Sequence, residues 1–139
     1  MSDISPSLHD EVVLRAGNRC EYCQLSQLGQ EAAFHIDHVV PRAVGGPTTA
    51  DNLALACVSC SLRNWAKQTA ADPDTGEEVP LFNPRTQTWN EHFRWDGVRV
   101  VPLTPTGRAT LTALAMNRPL IIAIRQEEIL RGRHPPNCL

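Results

Sequence analysis

The chain has 139 residues, which is enough for one domain with a modest core. Residues 1–10 lack a basic region followed by an apolar run, and no stretch approaches the length of a membrane span, so we expect a soluble, cytoplasmic protein. The net charge of −2 argues weakly against a nucleic-acid-binding protein, but residues 1–78 carry five Lys/Arg against eleven Asp/Glu, whereas residues 79–139 carry eight Arg against four Asp/Glu. A basic face for phosphates in the second half and an ordinary solvated surface are therefore both open.

The first elements are a helix and a strand. Pro6 and Gly17 indicate the start and the end of the helix. Residues 32–40 are apolar with a β-branched bias, which predicts a short strand that ends at Pro41, and a Gly-Gly-Pro loop follows at 45–47.

A second helix is predicted over residues 61–68, with Leu62, Trp65 and Ala66 on its apolar side. The turn-forming residues 72–76 break it. Since Asn52 leads the chain back toward this helix, the first half reads as a strand, strand, helix unit.

The second half predicts a hairpin followed by two helices. Asp96 and Gly97 accept the positive φ angles of a tight turn between two apolar runs. Thr106 can cap the first helix, and Asn117 with Pro119 can start the last one.

Two Cys-x-x-Cys pairs, Cys20/Cys23 and Cys57/Cys60, enclose the predicted strand. Each turn can aim two thiolates at one ion, and two turns complete the tetrahedral four-sulfur shell that zinc prefers. The gap between the pairs exceeds the roughly 15–20 residues of the common pattern, so spacing alone does not indicate a family. A redox motif or disulfides are the alternative, but neither explains two matched pairs without a secretory signal. No role is expected for the fifth cysteine, Cys138.

Residues 34–41 (FHIDHVVP), a glycine-bearing loop, the asparagine at 52 and the second cysteine pair follow in the order found in HNH endonucleases. The segment from Cys20 to Lys67 resembles this family. A less specific match covers residues 83–85 and 91–95, which look like the C-terminal extension of some bacterial members and carry His92 and Arg94.

The resemblance implies an α+β fold. Its core is a ββα-metal finger, with two strands and a helix around one catalytic divalent ion, and the four cysteines staple it through zinc. The acidic turn after residue 71 is the candidate boundary between a nuclease core, residues 1–78, and a C-terminal extension, residues 79–139, which would carry the hairpin and two helices and pack on the core as one compact unit.

The resemblance also implies that the protein is an endonuclease cutting DNA to 5′-phosphate and 3′-hydroxyl ends. His38 would be the general base, because a neutral imidazole can take a proton from water at cellular pH, a contribution of roughly 10²- to 10⁴-fold. Asp37 offers a hard oxygen ligand for Mg²⁺ or Mn²⁺, with Ni²⁺ as a further option. Asn52 would orient the histidine. A core histidine at 38 and a turn-forming asparagine at 52 are the structural alternatives.

The chain departs from the family pattern directly after the second cysteine pair. Family members usually place a metal-ligating His or Asn there, and often a lysine three residues later, but this chain has Ser61 and Asn64. Both are candidate ligands. His35 is a further candidate, since strand alternation puts it on the same face as Asp37, although a satisfied or DNA-facing histidine is the competing interpretation.

Three basic side chains, Arg42, Arg63 and Lys67, flank this segment and could hold phosphates, or could be solvated surface residues. The expected partner is DNA, bound by a monomer or a homodimer. The alternative function is a zinc-dependent nucleic-acid-binding module whose HNH chemistry has decayed, which the serine at 61 keeps open.

Overall fold

The computed structural model describes residues 4–136, so Cys138 lies outside the described residues. The chain divides into two compact units. The first consists of residues 4–67 and Asn83–Thr86, and the second of Gln68–Phe82 and residues 87–136. Within the described residues, no helix has the length and apolar character that a membrane crossing requires. The functional division at residues 78 and 79 stays a prediction.

The first unit contains the expected strand, strand, helix order after an N-terminal helix. Its elements are α1 (Pro6–Arg15), β1 (His35–His38), β2 (Leu53–Ala56) and α2 (Val58–Asn64). The α1 helix begins as predicted, because the Ser5 hydroxyl accepts a hydrogen bond from the Leu8 amide at 3.2 Å and Pro6 occupies the first turn. Gly17 ends it with a φ of 64°.

Strands β1 and β2 form an antiparallel pair in which Asp37 faces Ala54 and His38 faces Leu53. All four β2 residues are buried, whereas none of the four in β1 is fully buried. The predicted strand at 32–40 is therefore correct in place but shorter than expected. Its polar residues stay at the surface because β2 supplies the buried strand of the pair.

Helix α2 differs from the prediction of a helix over 61–68. It begins three residues earlier because the Cys57 sulfur caps it, accepting a hydrogen bond from the Cys60 amide at 3.4 Å. It ends before Ala66, which has a φ of 56°. The apolar residues Leu62 and Trp65 lie at the surface of the helix, where they are 68% and 81% exposed.

The second unit consists of two hairpins and three helices. They are β3 (Thr69–Ala71), β4 (Glu78–Pro80), α3 (Trp89–His92), β5 (Phe93–Asp96), β6 (Arg99–Pro102), α4 (Pro105–Ala113) and α5 (Pro119–Leu130). The α+β class is thus confirmed: the described residues hold three two-stranded antiparallel sheets and five α-helices. The β3–β4 hairpin was not predicted, because strands of three residues have too little alternation to detect.

The hairpin at Asp96 and Gly97 is confirmed by β5 and β6, with Gly97 at a φ of 60°. The expected cap at Thr106 is wrong, since the Thr104 hydroxyl accepts the hydrogen bond from the Gly107 amide at 3.0 Å. Asn117 does not cap α5 either.

The Asn117 side chain instead bonds both backbone groups of Val100 in β6, at 2.8 Å each. The last helix starts at Pro119 as predicted.

Most arginines of the second unit contact other residues of the same unit. Arg108 donates two hydrogen bonds to the buried carboxylate of Asp72, at 2.9 and 2.8 Å. Arg125 is buried with its guanidinium carbon 5.0 Å from the centre of the Trp95 ring. Their positive charge is therefore already balanced or shielded, which weakens the interpretation of a basic face in this half.

Candidate active site

The sulfurs of Cys20, Cys23, Cys57 and Cys60 form one buried cluster in which all four atoms lie within 4.8 Å of one another. The turns hold the sulfurs in place, since the amide of the second cysteine in each pair donates to the sulfur of the first, at 3.5 and 3.4 Å. None of the four is in a disulfide. Among residues 4–136 this is the only group of three or more His, Cys, Asp or Glu residues placed to share an ion.

This cluster fits a tetrahedral metal ion. A tetrahedron with Zn–S bonds of about 2.3 Å has sulfur–sulfur edges of about 3.8 Å. The Cys23 and Cys57 sulfurs are 3.7 Å apart, close to that edge and far beyond a disulfide bond. Burial raises the pKa of the Cys20 thiol, while hydrogen bonds from Cys20 and Cys23 lower the pKa of Cys57. Because four thiolates cannot share this buried space without a cation, the four-cysteine site can hold a metal such as zinc.

Glu21, between the first two cysteines, fastens the first cysteine turn to β2. Its amide donates to the Leu55 carbonyl at 2.8 Å, and its carboxylate accepts from the Leu55 amide at 2.8 Å. The other carboxylate oxygen is paired with the guanidinium of Arg85, from the Asn83–Thr86 segment. The Asn-Pro-Arg sequence at 83–85 therefore has a structural use in the first unit.

Asp37 and His35 share one face of β1, as alternation predicted, and Ser61 of α2 joins them. The Ser61 hydroxyl donates to Asp37 Oδ1 at 3.1 Å, and its oxygen lies 2.8 Å from His35 Nδ1. Since the hydroxyl has one proton, His35 Nδ1 is the donor in the second bond. The Nε2 atom of His35 then carries the lone pair with which a neutral imidazole binds metals.

Burial raises the pKa of the Asp37 carboxyl, and this effect outweighs the lowering by the Ser61 hydrogen bond and by His35 and His38. A partly desolvated carboxylate is stabilised by a cation, so the environment of Asp37 fits the binding of a divalent ion. The donors beside it, a hydroxyl oxygen and an imidazole, are compatible with such an ion.

His38 ends β1, and its Nε2 atom lies 2.8 Å from the hydroxyl oxygen of Thr48. This contact fixes the rotation of the imidazole ring. Thr48 was not found from the sequence, because it lies ten residues along the chain in a loop and belongs to no motif. Only the path of the loop back toward β1 brings the two side chains together.

Asn52 holds that loop closed. Its Oδ1 accepts from the Val40 amide at 2.9 Å, and its Nδ2 donates to the carbonyls of Val40 and Pro47 at 3.0 and 2.9 Å. A Cβ atom on Gly46 would lie 1.8 Å from the Val40 oxygen, so this close approach requires glycine. Through these contacts the Asn52 side chain ties the loop to the backbone that follows His38.

A pocket of about 300 Å³ opens beside Asp37 and His38. It is also lined by residues that follow β1 and by α2 with the residues after it, namely Pro41, Arg42, Ala43, Ser61, Asn64, Trp65 and Ala66. Of the three predicted phosphate-binding residues, Arg42 therefore lines the pocket. Arg63 and Lys67 are exposed but do not line it.

Asn64 is a weaker ligand candidate than Ser61. It lines the pocket, but its amide nitrogen points at the buried Tyr22 hydroxyl, 3.4 Å away. Burial raises the pKa of Tyr22, so this phenol stays protonated. The Asn64 contact ties the end of α2 to the first cysteine turn.

Residues 20–64 match the family model described as HNH endonuclease. Together with the strand, strand, helix order and the four-cysteine metal site, this match makes the segment an HNH endonuclease domain of the four-cysteine type. The match covers this segment and leaves the rest of the chain unmatched. Searches of curated proteins and of solved structures returned no match.

Proposed function

We propose that the protein is a metal-dependent HNH endonuclease that hydrolyses phosphodiester bonds in DNA. The observation that supports this most directly is the arrangement around Ser61, which bonds both the Asp37 carboxylate and the His35 imidazole, while Asp37 and His38 line one pocket. These are the groups that metal-assisted phosphodiester hydrolysis requires: oxygen and nitrogen donors for a cation, and a base for water.

In this mechanism His38 takes a proton from the attacking water, with its ring orientation fixed by Thr48. Asn52 holds the loop in register so that the ring stays beside the scissile phosphate. A divalent ion, Mg²⁺ or Mn²⁺ and also Ni²⁺, would supply charge neutralisation on the phosphoryl oxygens and help the departing sugar oxygen. Arg42, Arg63 and Lys67 bind flanking phosphates.

The residues that would hold this ion are Asp37, His35 and Ser61. In the family the position of Ser61 usually carries an imidazole or an amide. Here the Ser61 hydroxyl bonds an imidazole that comes from β1 instead. We therefore assign His35 as the substitute for the ligand that the helix lacks. Asn64 is not assigned as a ligand, and its role is to tie the end of α2 to Tyr22.

The cysteine cluster binds a structural zinc ion, separate from the catalytic ion. Four thiolates leave no open position for water, which is the coordination of structural zinc sites. Zinc would then fix the distance between β1, which carries the candidate base, and α2, which carries Ser61.

The test is a plasmid-nicking assay with added Mg²⁺ or Mn²⁺, comparing wild type, His38→Ala and His9→Ala. His9 is an exposed histidine on α1, outside the site, and serves as the matched control. We expect nicking by wild type and His9→Ala, loss of nicking in His38→Ala, and unchanged zinc content in all three. Normal nicking by His38→Ala would contradict the assignment.

A second candidate, a non-catalytic nucleic-acid-binding module, is favoured by the serine at position 61. It predicts no cutting of plasmid or single-stranded DNA with Mg²⁺, Mn²⁺ or Ni²⁺, together with binding that weakens steeply as salt rises. The same set of proteins distinguishes the two functions.

A further inference from the structure

Trp65 is the most exposed aromatic side chain beside the candidate site. It caps the C-terminal end of α2, is 81% exposed, and lines the same pocket as Asp37 and His38. The backbone holds it there, because Ala66 adopts a φ of 56° and the Lys67 amide bonds the Asn64 carbonyl at 3.0 Å. A single exposed apolar residue is ordinary, but an exposed indole that lines the pocket beside Asp37 and His38 has a surface that a ligand can cover.

The pocket has the size of a site for one nucleotide. Its volume of about 300 Å³ is at the lower end of the roughly 300–1,000 Å³ range of small-molecule sites. Its lining combines polar groups at Asp37 and His38 with apolar groups at Pro41 and Trp65. Exposed cationic residues lie at the pocket in Arg42 and close along the chain in Lys67. Phosphate, sugar and base therefore each have a complementary group.

We propose that Trp65 is a stacking platform for one unpaired nucleobase next to the scissile phosphate, and that the preferred substrate is single-stranded or locally unpaired DNA. This rests on the proposed nuclease function, whose substrate it specifies. In a duplex each base is stacked on both faces, so an indole at the phosphate can cover a base only where that base has left the stack. Arg42 and Lys67 would bind the strand through its phosphates without selecting bases.

The binding test uses the full-length chain carrying His38→Ala, so that the probe is not cut. A labelled short oligothymidylate is titrated against this protein and against versions that also carry Trp65→Ala, Trp65→Phe or Leu62→Ala. Leu62 is the matched control, being apolar, exposed and on the same helix but not part of the pocket lining. Zinc content and circular dichroism check that each variant folds.

Loss of the indole should weaken binding by at least about fivefold, the lower end of the effect of removing one aromatic from a stacked base. Trp65→Phe and Leu62→Ala should bind like the parent. A probe of equal length made of abasic deoxyribose phosphates should bind all four proteins alike. Equal binding of oligothymidylate by the alanine and phenylalanine variants at 65, or an equal loss on the abasic probe, overturns the stacking platform.

The cleavage test compares single-stranded, mismatched and fully paired DNA in the catalytically intact chain. Trp65→Ala should lose more rate on unpaired DNA than on paired DNA, so that the preference for unpaired DNA shrinks. If wild type cuts, His38→Ala does not, and Trp65→Ala keeps the wild-type preference, the nuclease stands and this inference falls. If wild type cuts none of these DNAs, the proposed nuclease function falls, and the binding comparison still decides whether a base stacks on Trp65.

Discussion

Ser61 accepts a hydrogen bond from His35 Nδ1 at 2.8 Å, and so connects the start of β1 to α2. At the position of Ser61 the family usually has a metal ligand. Here the serine at this position bonds an imidazole that β1 supplies. The bond also selects the tautomer that leaves His35 Nε2 able to bind a metal. The proposed replacement for the missing ligand is thus a residue 26 positions earlier in the chain.

The first prediction concerns this substitution of one ligand for another. His35→Ala should lower metal-dependent nicking by at least about tenfold, the lower end of the cost of disturbing a metal site. The double change His35→Ala with Ser61→His should recover part of the lost rate, because an imidazole returns at the helix. Nicking rates at several Mn²⁺ concentrations measure both the loss in His35→Ala and the recovery in the double variant. Full activity in His35→Ala would show that this histidine holds no ion.

The second prediction concerns the cysteine cluster. Cys57→Ser should lose the zinc ion and unfold the first unit, since structural zinc sites contribute about 10–16 kcal/mol of binding free energy to folding. Elemental analysis and circular dichroism measure the two effects. The control variant Cys138→Ser, which lies outside both pairs, should keep its zinc. If Cys57→Ser still bound one zinc per chain, the four-cysteine cluster would not be the zinc site.

The third prediction concerns the loop closed by Asn52. Asn52→Ala removes three hydrogen bonds from a buried side chain and should lower the free energy of unfolding by about 1–3 kcal/mol. It should also lower kcat, because the loop carries Thr48. Asn52→Asp keeps the acceptor for the Val40 amide but loses both donors. Its stability and kcat should therefore lie between those of wild type and those of Asn52→Ala. Chemical denaturation and nicking are the measurements, and an alanine variant as stable and active as wild type would contradict the role.

The fourth prediction concerns pH and the second unit. Hydrogen bonds from Arg108 lower the pKa of Asp72 to about 2, below its ordinary value of about 3.9. A lowered folded-state pKa stabilises the fold above the ordinary value, and this contribution is lost as pH falls from about 4 through 2. The difference in Tm between wild type and Asp72→Asn should therefore be largest above pH 4 and shrink toward pH 2.

Asp74 provides the comparison for this experiment, because it also contacts Arg108, at 3.1 Å, but its side chain is 67% exposed. Asp74→Asn should change the Tm less than Asp72→Asn at every pH, since exposed ion pairs contribute little. A difference between wild type and Asp72→Asn that stays constant from pH 5 to pH 2 would contradict the assignment.

The sequence predicted those parts of the fold that depend on local patterns. The cysteine pairs, the strand before Pro41 and the turn at Gly97 each carry their signal within a few residues, and each was found. The start of α2 was misplaced because its cap is a cysteine sulfur, which propensity rules do not count. The sequence favours Thr106 over Thr104 as the cap because Thr106, two positions closer to the apolar run, offers the same hydroxyl.

The features that the sequence did not predict depend on contacts between segments distant in the chain. The Ser61–His35 and Thr48–His38 bonds arise from the return of the chain beside β1, which no spacing rule encodes. The side of α2 that carries Leu62 and Trp65 illustrates the opposite error. An apolar stripe predicts burial by default, whereas here both residues lie at the surface and Trp65 lines the pocket.

The pairing of Glu21 with Arg85 has a practical consequence for the production of the family-matched segment alone. The family match ends at residue 64, yet the carboxylate that anchors the first cysteine turn takes its counter-charge from residue 85. A fragment cut at the family boundary would leave that carboxylate partly buried without its cation. The first unit is discontinuous in sequence, so fragments for expression or domain exchange should extend at least through Thr86.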